Sequence, residues 1–484
     1  MSLLIENADL PGGPGSLRIV DGRIAALGRE LKREAGEASM DAAGGALLPG
    51  LHDHHIHLLA LAAARDSLPC GPPAVRDEAQ LARALASAAE DIRGSGWVRG
   101  VGYHESVAGP LDRLRLDALV EHCPVRIQHR SGALWCLNSA GLGAAGIEAG
   151  PSLPEGCEVD AHGRPTGRLH RLDDWLRDRL GTRDAPPLGA VGRELARMGV
   201  TGVCDATPGN GASELALFAA AAEAGDLPQH LRIMGSLALP EPRHPRMTRG
   251  ALKIMLDEDQ LPLETELVDA IRKAHAQDRG VAFHCVTRAE LVMAAGSLER
   301  AGTGARDRIE HASLAPPDAV EWLARLGVTV VTQPNFLLER GDAYRREVDA
   351  RDQPWLYRGR GFLDAGVPLG GGTDAPFGTC DPWAAMRAAV ERRSAEGALM
   401  QGDEALEPES ALALFTSPLE APGRPRGALS PGEPADLVLL DRPWPRARQT
   451  LCAEAVHTTW VGGRIAWSQT HIPGGEAVGA VSGH

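Results

Sequence analysis

Four histidines fall within six residues of this 484-residue chain, in the run Pro49-Gly-Leu-His-Asp-His-His-Ile-His57. A neutral imidazole offers a nitrogen lone pair to a metal ion near physiological pH. Side chains alternate faces along an extended segment, so Asp53, His55 and His57 share one side while His52 and His54 share the other. Two imidazoles on one face can converge on a single ion, and His55 and His57 are therefore the expected pair. Three more polar residues close apolar runs downstream: His284 in Phe283-His-Cys285, His311 in Ile309-Glu-His311, and Asp374 in Gly372-Thr-Asp374. A lone histidine at a strand end is usually a hydrogen-bonded core residue. Three polar residues at the same place in successive strand–helix units are different, because the C-terminal strand ends of a barrel converge on one site. The implied chemistry is metal-dependent hydrolysis.

The elements that position these residues follow from the rhythm of the sequence. Apolar runs at 281–286, 308–312, 328–332 and 367–371 alternate with helical stretches near 289–301, 317–326 and 382–393. That alternation argues for parallel βα units. Residues 47–57 leading into an amphipathic helix at 78–92 fit the same scheme, with Leu81, Leu85, Ala88 and Ile92 on one face. The expected fold is α/β, a (β/α)8 TIM barrel over 49–421 with an insertion around 131–188, a stretch rich in Gly, Pro, Arg and Asp. Both ends read as short strands with Asp21-Gly22 and Gly462-Gly463 turns, so 1–48 and 422–484 are expected to form one small β-sandwich domain. Tyr103 and His104 follow a strand-like run at 97–102, His129 ends another at 125–128, and Trp135 lies just beyond. These four are the candidate substrate contacts.

Composition narrows the function classes. The formal charge is −14, from 64 acidic and 50 basic residues, without the electrostatic footprint of a nucleic-acid binder. No apolar stretch approaches the roughly 18 residues of a membrane span. Eight cysteines include no Cys-x-x-Cys pair, against a disulfide scaffold or zinc ribbon. The expected setting is cytoplasmic, with a small-molecule substrate. Of the 50 basic residues only Lys32, Lys253 and Lys273 are lysines. Lys32 and Lys273 lie in charged or amphipathic stretches. Lys253 sits in the apolar run Ala251-Leu-Lys-Ile-Met255, where an uncompensated ammonium is costly.

The chain resembles the amidohydrolase superfamily of metal-dependent barrel enzymes, most closely its YtcJ-like and N-substituted formamide deformylase-like members. The resemblance rests on 48–57, Gly199-Val-Thr-Gly-Val-Cys-Asp205, Arg308-Ile-Glu-His-Ala312, Gly371-Gly-Thr-Asp-Ala-Pro376 and 427–440, and so runs nearly end to end. It implies that His55 and His57 hold one metal, that His284 and His311 hold a second, and that Asp374 is both ligand and proton shuttle. It further implies two zinc ions bridged by a carboxylated Lys253, and it is compatible with a homo-oligomer. The expected reaction is cleavage of a C–N bond in an amide, cyclic amide or N-acyl compound by a metal-bound hydroxide. One alternative is a mononuclear-metal deaminase of a heterocycle, whose relatives place a glutamate soon after the histidine equivalent to His284. The nearest here is Glu290. A second alternative is a non-catalytic, metal-binding regulatory protein. The chain departs from its relatives at His284-Cys-Val-Thr-Arg288 and at Gly132-Ala133.

Overall fold

The computed structural model describes residues 2–90, 92, 96–147, 153–180, 185–426 and 429–469. The Gly427-Ala428 part of the last family motif, residues 470–484 of the terminal domain, and 148–152 and 181–184 of the expected insertion lie outside the described residues. The chain divides into two compact units, one made of Met1–Leu58 with Leu188–His484 and the other of Leu59–Pro187.

The first unit contains the barrel. Its strands are β1 (Leu51–Ile56), β2 (Val200–Asp205), β3 (His230–Gly235), β4 (Met247–Met255), β5 (Val281–Cys285), β6 (Arg308–His311), β7 (Thr329–Thr332) and β8 (Leu369–Gly371). They pair in that sequence, every pair parallel. Beyond the end of β8, the Asp374 N–H donates to the His55 carbonyl at 2.8 Å and the His57 N–H to the Ala375 carbonyl at 2.9 Å, drawing β8 onto β1 and rounding the sheet into a barrel. Every residue of β1, β2 and β6 is buried. Strands covered on both faces read as continuous apolar runs rather than as alternation, and so polar residues in them stand out.

The helices expected at 289–301, 317–326 and 382–393 form as Arg288–Ala301, Pro317–Leu326 and Pro382–Glu391. Their boundaries have local causes. Pro317 opens its helix and Gly327, at φ 67°, ends it. Thr287 caps the helix after β5, its hydroxyl accepting from the Glu290 N–H while the Glu290 carboxylate accepts from the Thr287 N–H. A loop rather than a helix joins β3 to β4.

The two ends form two four-stranded sheets. Ser2–Leu10, Gly13–Val20, Arg23–Gly28 and Ala38–Asp41 make one; Leu47–Pro49 joins Leu437–Leu440, Val456–Val461 and Arg464–Ser468 in the other. Leu17 and Ile19 of the first share an apolar cluster with Leu437, Leu439 and Trp460 of the second, making a β-sandwich from both termini. The run read as one strand at 47–57 is therefore divided, its first part in the sandwich and its second in the barrel. Gly50 is the joint. A Cβ there would come within 2.2 Å of Thr201 Oγ1.

The second unit has its own six-stranded sheet, comprising Leu68–Pro69, Val98–Tyr103, Val125–His129, Leu134–Leu137, Cys157–Val159 and Pro165–His170. The helix Glu78–Glu90 belongs to this unit, burying Leu81 and Leu85 with Val98 and Val125, and is not the barrel's first crossover. The interruption of the barrel thus begins at residue 59, ahead of the 131 suggested by composition. Strand–helix rhythm is the same whichever sheet a strand joins, so it could not separate the two. Among the described residues, no helix is long and apolar enough to cross a membrane.

Candidate metal centre

The end of β1 and the segment after β8 bring His55, His57 and Asp374 together. Asp374 Oδ1 lies 3.2 Å from His57 Nε2 and 3.5 Å from His55 Nε2. One ligand atom from each of the three can be chosen so that all lie within 4.8 Å of one another. Three atoms so spaced can share one ion at about 2.0–2.2 Å from each. The His311 ring, at the end of β6, is centred 4.8 Å from that of His55 and 4.6 Å from that of His284, at the end of β5. Lys253, on β4, is buried beside them, and its Nζ has no hydrogen-bond partner among the described residues.

Two of these residues adopt backbone conformations that side chains rarely take. His311 has φ 68° and Asp374 φ 56°. Such a conformation costs on the order of 1–3 kcal/mol and persists only where its surroundings enforce it. At His311 it breaks the strand's alternation, so the neighbours Glu310 and His311 both reach the site. Asp53 supports Asp374 from beneath. Its Oδ1 accepts from the Thr373 N–H at 3.0 Å and the His55 N–H at 3.1 Å, and its other oxygen accepts from the Thr373 hydroxyl. Burial pushes the Asp53 carboxyl up to about 6. On the opposite face of β1, Ser417 engages His52 Nδ1 through its carbonyl at 2.8 Å and His54 Nε2 through its hydroxyl at 2.9 Å. The alternation read from the sequence therefore separates these histidines as expected.

The outward ring nitrogens are also occupied. His55 Nδ1 is bonded to the Glu310 carboxylate, His57 Nδ1 lies 2.9 Å from Thr207 Oγ1, and His311 Nδ1 lies 2.6 Å from Gln333 Oε1. A carboxylate accepts only, so His55 carries its proton on Nδ1 and turns a lone pair on Nε2 inward. Burial, reinforced by the Lys253 charge, lowers His55 to about 3; burial also holds His284 and His311 below the ordinary imidazole value. These rings stay neutral, the form that binds metal. Burial alone would raise Asp374, but the hydrogen bond from His57 outweighs it and keeps the carboxyl below its usual range. Burial depresses Lys253, whose amine feels Glu310 and Asp374. Neutral imidazoles, an ionised carboxylate and a buried amine lacking a hydrogen bond form a donor set suited to divalent cations.

The site contains residues that motif reading passed over: Glu310, Arg308, Thr207 and Gln333. Only the first two left a trace in the sequence, as two charges two residues apart in a short strand with no exposed position. Glu290, the residue on which a deaminase would depend, is engaged as a helix cap and accepts the Val286 and Thr287 N–H groups. Tyr103, His104, His129 and Trp135 belong to the second unit. There the Tyr103 hydroxyl donates to the Gly109 carbonyl, His129 and His104 lie 3.0 and 4.0 Å from Glu105 Oε2, and Trp135 Nε1 donates to Asp173 at 2.8 Å.

Residues 38–466 match the amidohydrolase family. The N-substituted formamide deformylase of Arthrobacter pascens is 28% identical over 513 residues, covering 93% of this chain and 94% of its own. The putative amidohydrolase YtcJ of Bacillus subtilis (strain 168) is 24% identical over 462 residues, covering 82% and 84%. Among solved structures, an uncharacterized metal-dependent hydrolase from Pyrococcus horikoshii OT3 superposes with a TM-score of 0.72 at 21% identity, covering 91% of this chain and 98% of that one. A match over nearly the whole length, on a barrel that gathers these histidines and this aspartate at its strand ends, places the chain in the amidohydrolase family.

Proposed function

We propose that this enzyme hydrolyses the C–N bond of a small amide, cyclic amide or N-acyl compound, with Asp374 as the proton carrier. The observation that carries the reading is the convergence of His55, His57 and Asp374 beside the Lys253 amine. The N-substituted formamide deformylase relative favours N-acyl amines within that class. His55, His57 and Asp374 would hold one divalent ion and His284 and His311 a second, zinc being the expected metal, with Lys253 carboxylated as the bridging ligand. When bound, such ions polarise a carbonyl and make water acidic enough to attack it near neutral pH.

The chain's own groups do the rest. Asp374, which stays ionised, can take a proton on a carboxylate oxygen as water adds to the carbonyl carbon. The C–O bond forms, the C–N bond breaks, and the same oxygen returns the proton to the departing nitrogen, which leaves as an amine. Asp53, through Thr373, fixes the backbone from which Asp374 projects.

The test is Asp374→Asn assayed on a panel of N-acyl amines, with bound metal measured alongside. The amide retains an oxygen donor but cannot carry the proton. Turnover is expected to fall about 10²–10⁴-fold while metal is retained. An unchanged rate would overturn the role of Asp374, and a wild-type chain that neither binds metal nor cleaves the panel would overturn the function.

A further inference from the structure

Glu310 lies inside the barrel with no exposure, and its partner Arg308 is almost as deeply buried. Arg308 Nε bonds one carboxylate oxygen of Glu310, and an Arg308 terminal nitrogen donates to the other at 2.9 Å. That second oxygen also receives His55 Nδ1, from a strand 255 residues away in sequence. The same terminal nitrogen of Arg308 donates to the His54 carbonyl at 2.7 Å. Strand β6 thus grips β1 twice, by the backbone at residue 54 and by the ring at residue 55.

From this geometry we infer that Glu310, oriented by Arg308, is a positioning residue that locks His55 in its Nδ1–H tautomer and aims Nε2 at the metal site. The inference rests on the metal-hydrolase reading above and adds to it a residue whose role is distinct from ligation. The three outward nitrogens meet unlike partners: a carboxylate for His55, an amide oxygen for His311 and a hydroxyl for His57. A carboxylate is the strongest acceptor of the three and raises the donor strength of the opposite ring nitrogen most. His55 is accordingly the ligand most dependent on its support. A buried ion pair serving packing alone would need no third partner, yet Glu310 spends its shared oxygen on His55.

Two variants test this. Glu310→Gln keeps the size and an acceptor oxygen but removes the charge. Arg308→Gln with Glu310→Gln also removes the guanidinium that the single variant would leave unpaired inside the barrel. Zinc affinity is measured by competition with a chelator, and the His55 tautomer by ¹⁵N NMR of histidine-labelled, metal-free protein. Both variants are expected to bind zinc about 10–100-fold more weakly and to show His55 distributed between tautomers, where the wild type shows Nδ1–H alone. Melting in chelator reports packing separately. Variants that melt lower but keep wild-type zinc affinity and a single Nδ1–H tautomer would overturn the inference. The NMR arm uses metal-free protein, so it decides the matter even if the wild type binds no zinc, a result that would instead sink the hydrolase reading.

Discussion

Lys253 shows how one side chain can have opposite energetic signs in two states of the same protein. Its Nζ lies near the His55, His284 and His311 rings and feels the Glu310 and Asp374 carboxylates, but it is buried and without a hydrogen bond among the described residues. An amine desolvated in that way opposes folding of the metal-free chain. As a carbamate the same atom would bear an anion between two cations, and the penalty would become a ligand bond. Lys253→Met keeps the length and apolar stem of the side chain without the amine. In metal-free protein it is expected to raise stability by about 1–3 kcal/mol in urea unfolding. With zinc present the order should reverse, and bound metal per chain should fall. A metal-free variant less stable than the metal-free wild type would show that the amine has a partner in solution, and a variant that binds as much zinc per chain as the wild type would show that it is not the bridging ligand. Arginine would not serve here, because its guanidinium does not form this carbamate. The scarcity of lysine in an arginine-rich chain makes the position conspicuous from sequence alone.

At the scale of elements, the site depends on how closely β8 approaches β1. A Cβ on Gly372 would lie 2.5 Å from His55 Cβ and 2.7 Å from the His55 backbone nitrogen. The atoms in the way are mainly backbone and cannot rotate aside. Gly372→Ala is therefore expected to destabilise the fold by about 1–3 kcal/mol and to lower zinc affinity together with it, since the displaced residue is a candidate ligand. Denaturant unfolding and chelator competition check the two effects, and a stability loss with unchanged zinc affinity would mean that the seam can shift without disturbing His55. The alternation of β1, the polar strand ends of β5 and β6, and the Thr373-Asp374 turn were legible because each is a local pattern. Arg308 and Glu310 were visible as charges in an apolar strand, but the partner that explains Glu310 lies on the far side of the barrel. That Glu310 and its neighbour His311 both reach the site was hidden for another reason. The positive φ of His311 overrides strand alternation, and no residue type at that position announces such a turn. The placement of Glu78–Glu90 failed through ambiguity, since a helix with one apolar face suits either unit.

Across the whole molecule, two compact units carry separate apolar clusters. Those formed by Leu81, Leu85, Val98 and Val125, and by Trp135, Leu137, Leu169 and Leu176, lie wholly within Leu59–Pro187. The candidate ligands His55, His57, Lys253, His284, His311 and Asp374 all belong to the other unit, where β1, β4, β5, β6 and the segment after β8 supply them. A metal ion held by strands so far apart in sequence closes long loops and binds the folded barrel far better than the unfolded chain. Its contribution to stability should therefore fall on one unit. At about a hundredfold excess over Kd, a single ion adds ~2.7 kcal/mol to the state that binds it. Scanning calorimetry of the intact chain is expected to resolve two transitions, of which chelator lowers only one by a few degrees and zinc restores it. Limited proteolysis during the scan, with the first cleavage sites read by mass spectrometry, assigns the metal-sensitive transition to the barrel or to Leu59–Pro187. If chelator moves both transitions equally, the units unfold as one cooperative body. If it moves only the transition of Leu59–Pro187, the principal metal site is not the one formed by His55, His57 and Asp374.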